Sequence, residues 1–92
     1  LSNEAIIRAE QQWEKGDVAG ARASLATSLA LAHGWDRTWA RAARLAMSQG
    51  ETALAREYLA GLRALNPGWV KQELALPLYA PLRGDAVVEA WR

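Results

Sequence analysis

Cysteine is absent from the 92 residues, and histidine occurs once, at His33. The first absence rules out disulfides and thiolate metal sites; the second leaves a histidine-based metal site without a second ligand. An excess of one charge is also missing. Eleven Lys and Arg stand against 10 Asp and Glu, a formal net charge of +1. So close a balance gives no argument for nucleic acid or for an anionic membrane surface. No apolar run approaches the roughly 20 residues that span a bilayer, so no membrane contact is expected. The length suits one small domain, near the lower size at which a single core suffices. The chain begins at Leu1 without a signal-like segment. It reads as a piece of a longer polypeptide, and nothing in it assigns a compartment.

What is present is an interval. Gly16, Gly50 and Gly84 are spaced 34 residues apart, and each is followed by an acid: Asp17, Glu51, Asp85. At the same interval Ala9 meets Ala43, and Ala21-Arg22 meets Ala55-Arg56. Leu25-Ala26 meets Leu59-Ala60, and Gly34-Trp35 meets Gly68-Trp69. Self-similarity at one such period is the mark of stacked helical hairpins.

Within that frame the apolar residues fall at helical spacing. Ser2 suits the N-cap of a first helix carrying Ala5, Ile6, Ala9 and Trp13 on one arc. Gly16 ends it, and Asp17 caps a second helix whose stripe is Val18, Ala21, Leu25, Leu29 and Ala32. Asp36 opens a third, with Trp39, Ala42, Ala43 and Ala46 inside and Met47 at the edge. After Gly50 a fourth carries Ala55, Tyr58, Leu59, Leu62 and Leu65, and Asn66-Pro67-Gly68 stops it. Joined by short turns, these helices must pack as antiparallel neighbours. Pro77 and Pro81 forbid a fifth full-length helix. The expectation there is a short helix over 69–76, an extended stretch over 78–81, and a last helix from Asp85. Val87, Val88 and Trp91 should fold back onto the fourth helix. The reading is all-α: one domain with residues 2–35 as a first hairpin, 36–69 as a second and 70–92 as a terminal cap.

The interval and its turns resemble the tetratricopeptide repeat family. That motif pairs a bulky residue early in the first helix with a small one a turn later. The second unit matches through Trp39, Ala43, Gly50, Ala55, Leu59 and Pro67. The first departs from it: Ala5 replaces the tryptophan and His33 the proline. The tail 78–85 is similar to the end of repeat arrays in some bacterial regulators and cyclases. The resemblance implies two hairpins stacked right-handedly, with a concave groove that binds peptides or partner proteins. It also implies that the segment belongs to a larger, bacterial protein.

Arg37, Arg41 and Arg44 fall at i, i+4 and i+7, on the side of the third helix that lines the groove in the resembled fold; Lys71 continues the strip. Guanidinium pairs bidentately with carboxylate, so the strip suits an acidic segment. The bland alternative is a solvated face, or pairing with Glu10 and Glu14. Asn3, Ile6, Glu10 and Trp13 would line the other wall, with Ala40 and Met47 beside the arginines. Trp35 and Trp69 are expected where one unit packs on the next, Trp39 and Trp91 on inner faces. Family members that clamp a chaperone's C-terminal carboxylate carry lysine and asparagine where Ile6 and Glu10 stand here, which disfavours that role. No catalytic group has a partner in sequence: His33 stands alone, and nothing encloses Glu10 and Glu14 in a pocket. The expected function is a non-catalytic interaction module without cofactor, binding a protein or extended acidic peptide. The alternative is a structural or self-association element of a longer array, in which Ile7 meets a second copy or further repeats.

Overall fold

A computed structural model describes residues 2–92, with side chains from Glu4 onward. The Ser2 cap and the Asn3 side chain lie outside the described residues. The described residues hold six α-helices: α1 (Ser2–Glu14), α2 (Val18–Leu31), α3 (Asp36–Ser48), α4 (Thr52–Leu65), α5 (Pro67–Leu74) and α6 (Ala86–Glu89). A 3₁₀ segment over Pro77–Leu82 stands between α5 and α6. No strand occurs among the described residues, so the chain is all-α, and the two long hairpins fall where the interval places them.

The turns are built alike. Gly16 and Gly50 take positive φ, 83° and 75°, a region that only glycine enters without a Cβ clash. That reversal sends the next amide back over the helix end. Asp17 N donates to Gln12 O at 2.8 Å and Gly16 N to Trp13 O at 3.0 Å. Glu51 N donates to Ala46 O at 2.9 Å and Gly50 N to Met47 O at 3.0 Å. Two such bonds satisfy carbonyls that a bare helix end would orphan. Asp17 then caps α2 by accepting from Gly20 N at 2.9 Å.

α1 packs chiefly on α2 and α3 on α4, and lighter contacts of α3 with α1 and α2 join the hairpins. Small residues let the helices approach: Ala9, Ala21, Ala42, Ala43, Ala46 and Ala55 are fully buried. Leu25, Leu59 and Leu62 are fully buried too, each stabilising by about 1.5–3 kcal/mol. At Gly61 a Cβ would stand 2.3 Å from the Trp39 ring, so the absent side chain is what seats that indole against α4.

Ion pairs repeat with the turns. Arg22 on α2 pairs with Glu51 at the start of α4, and Arg56 on α4 pairs with Asp85 at the start of α6, at 2.8 Å. Helical side chains lean toward the N-terminus. An arginine therefore meets an acid a little over one turn before its own equivalent in the next unit. Each of these arginines keeps about half its side chain in water, so the pairs set register more than they stabilise.

The tail differs from expectation. Residues 77–82 wind into a 3₁₀ helix and are not extended. Proline at the first position loses no helical bond, and a period of three puts Tyr79 and Leu82 on one buried edge. Val88 is buried and Trp91 half-buried, with the Arg63 guanidinium of α4 lying 6.0 Å from the Trp91 ring centre. Val87, expected inside, is half exposed, as are Val18 and Leu65. All three sit where no neighbouring helix covers their side of the helix. Trp35 is the larger correction. It is 68% exposed at the N-cap of α3, while its equivalent Trp69 lies within α5, half-buried against the core with its Nε1 donating to Glu73.

Candidate functional site

A cleft of about 490 Å3 opens between α1, α3 and the 3₁₀ segment. Ile6 and Leu45 form its floor, with Leu78 along the side; Glu10 stands on the α1 wall and Arg41, Arg44 and Ser48 on the α3 wall. The walls belong to equivalent helices of the two hairpins, and two of the three spaced arginines, Arg41 and Arg44, line the cleft.

Of the ten residues expected to form the groove, four line the cleft: Ile6, Glu10, Arg41 and Arg44. Ile6 does so from below, being 2% exposed. Arg37 and Lys71 are exposed but do not line it. Trp13, Met47 and Ala40 are corrections. They are 7%, 6% and 3% exposed and belong to the core. Both large side chains come from late in their helices, where the hairpin closes and the partner helix covers them. They cannot serve as ligand anchors without unpacking the core.

Arg44 is positioned by a partner that lies outside the expected pairs. Its Nε and Nη2 donate to the Glu73 carboxylate on α5 at 3.0 and 2.5 Å, and Trp69 Nε1 donates to the same carboxylate at 2.9 Å. Glu73 is 1% exposed. Burial pushes its carboxyl up, but the bonds from Arg44 and Trp69 and the Arg44 charge outweigh burial and hold it below the ordinary range. Burial and the nearby carboxylate push the Tyr79 phenol well up, so it stays neutral. Arg44 itself is raised, first by its bond to Glu73. Half of its side chain stays in water, with Nη1 directed away from the Glu73 pair of bonds. The arginine is thus held rigid by a buried acid while keeping donors for something else.

Glu10, by contrast, is exposed and forms no ion pair among the described residues. The expected Glu10 or Glu14 pairing with Arg44 is replaced by Glu73. A spacing signal for it exists: Glu73 comes 29 residues after Arg44, as Glu51 does after Arg22 and Asp85 after Arg56. Leu45 and Ser48 continue the helical register of Arg41. Only Leu78 depends on the path of the tail.

Among the described residues no three of His, Asp and Glu are grouped to hold a metal ion, and no helix is long and apolar enough to cross a membrane. Compared with protein-family models, curated proteins and solved structures, the chain matches none of them.

Proposed function

We propose that the chain is a non-catalytic helical-repeat interaction module of the tetratricopeptide kind, holding an extended segment of a partner protein in the cleft between α1 and α3. The observation that carries this reading is the cleft's composition on a fixed frame. An apolar surface of Leu45 and Leu78, with the buried Ile6 beneath it, lies beside an arginine locked by a buried acid. Apolar anchoring with a few placed polar groups is what peptide grooves use. An open trough of this kind suits a chain segment better than an enclosed small molecule.

The test is a pull-down with mass spectrometry using two cleft variants as controls. Ser48→Trp fills the rim and Leu78→Glu places a charge beside the floor; both positions are exposed, so the fold tolerates them. A partner retained by the native chain and lost from both variants supports the reading. Equal retention by all three overturns it.

A second reading has its own observation. Ile7 is 50% exposed, where its equivalent Arg41 is half covered at the junction of the hairpins. An apolar residue at that place favours contact of the outer α1 face with a second copy or another repeat. Sedimentation at several concentrations reads this directly, and a strictly monomeric species removes the dimer.

A further inference from the structure

Glu10 and Arg44 occupy the same position of successive repeats, 34 residues apart, yet carry opposite charges. They face the one cleft from opposite walls. They do not pair with each other: Arg44 bonds Glu73 on α5 through Nε and Nη2, which leaves Nη1 as its remaining donor on a side chain half in water. The cleft therefore presents an acid on its α1 wall, a base on its α3 wall and an apolar floor between. Glu14, exposed a turn beyond Glu10, adds to the acidic side.

We propose that the cleft recognises a dipolar segment: an extended stretch with a basic residue near the α1 wall, an acidic residue near the α3 wall, and an apolar side chain between them on Leu45 and Leu78. This rests on the reading of the cleft as a peptide groove, and it replaces a purely acidic ligand with one of both signs. A doubly acidic segment would set a carboxylate against Glu10, and like charges in apposition oppose binding. The dimensions set the spacing. Packed helices stand about 8–10 Å apart and an extended chain advances about 3.3 Å per residue, so the two charges should be about three residues apart. Alternation puts the apolar residue next to the lysine on the same face as the acid, toward the floor and the α3 wall, and the lysine reaches the α1 wall over the rim by its long flexible stem.

The experiment is an NMR titration of the isotope-labelled chain with four acetylated, amidated hexapeptides. The dipolar probe is Gly-Lys-Leu-Ser-Asp-Gly. Its comparators are Gly-Asp-Leu-Ser-Asp-Gly, Gly-Lys-Leu-Ser-Lys-Gly and the closely spaced Gly-Lys-Asp-Leu-Ser-Gly. The dipolar probe should shift the amides of Glu10, Leu45, Ser48 and Leu78 and bind about three- to fivefold more tightly than each comparator, the range of one solvent-exposed ion pair. Glu10→Lys should move the preference to the doubly acidic peptide, and added salt should erase the preference in both proteins. Equal binding of all four peptides at the cleft, or tighter binding of the doubly acidic one to the native chain, overturns the dipolar assignment and leaves the groove standing. No shift at any cleft residue with any peptide at millimolar concentration removes the groove itself, and the assignment with it.

Discussion

The two hairpins share their turns and little of their interiors. Gly16 and Gly50 adopt the same conformation and make the same pair of backbone bonds. Between them, however, the facing residues have been exchanged. In the second hairpin Trp39 lies against Gly61 and meets Tyr58 edge to face, with ring centres 6.4 Å apart. In the first, the equivalents are Ala5, Thr27 and Ser24. Ser24 hydrogen-bonds Gln12 at 2.6 Å, where the second hairpin has Tyr58 and Ala46. The bulk that Trp39 brings is absorbed by a missing side chain on the facing helix; where the tryptophan is gone, the facing position carries the exposed Thr27. Backbone chemistry at the turn keeps the register, while a tryptophan is admitted only where the facing residue is glycine.

That comparison breaks most severely in the core. Leu59→Ala and its equivalent Leu25→Ala both empty fully buried sites, and each should lower stability by about 2–5 kcal/mol in chemical denaturation. Because the hairpins share one core cluster, both variants should unfold in a single transition. Two separate transitions would mean that the repeats are independent units.

Arg44→Met should cost about 2–3 kcal/mol at neutral pH, below the range for a fully buried pair because half of the arginine stays in water. The pH dependence gives the sign. In the native chain Glu73 is held below the ordinary carboxyl range. Its contribution is therefore present above the unfolded value of about 4.3 and is lost as pH falls through the lower folded value. In the variant, burial acts with less opposition and raises the Glu73 carboxyl. The penalty should then shrink as acid protonates it. A penalty independent of pH would mean that packing, and not charge, accounts for the loss. The equivalent Glu10→Ala, on a carboxylate without an ion-pair partner among the described residues, should leave thermal stability nearly unchanged.

Gly61→Ala sharpens the comparison further. Its Cβ meets the Trp39 ring, and the overpacking costs about 1–3 kcal/mol, partly offset by about 1 kcal/mol of helix propensity. The loss should turn into a gain in the Trp39→Ala background, where only the propensity remains. Thr27→Ala, at the exposed equivalent in the first hairpin, should change stability by about 0.5 kcal/mol or less. If Gly61→Ala is equally mild with and without Trp39, the facing-pair account of the exchange fails.

The architecture was legible because a glycine and then an acid, recurring at a fixed interval, report backbone conformation directly. Helical spacing then located most of the core. The lining of the cleft was legible in part. Arg41 and Arg44 share a helix face that periodicity reveals, but whether Trp13 and Met47 line a surface depends on how closely the partner helix covers them. Trp35 and Trp69 show the same limit: identical residues at the same interval, one exposed at a helix cap and one inside α5, half-buried with its indole held by Glu73. The 3₁₀ path of the tail, and with it Leu78, was hidden by prolines that mark where an α-helix cannot run without saying what replaces it.

The face shared by α1, α3 and the 3₁₀ segment is the working surface we propose. A photo-crosslinking residue at Ser48, on the cleft wall, and another at Ala60, exposed on α4, test it in cells. Crosslinked partner adducts from position 48 and none from position 60 are the expected result. Adducts from position 60 with none from position 48 would contradict it.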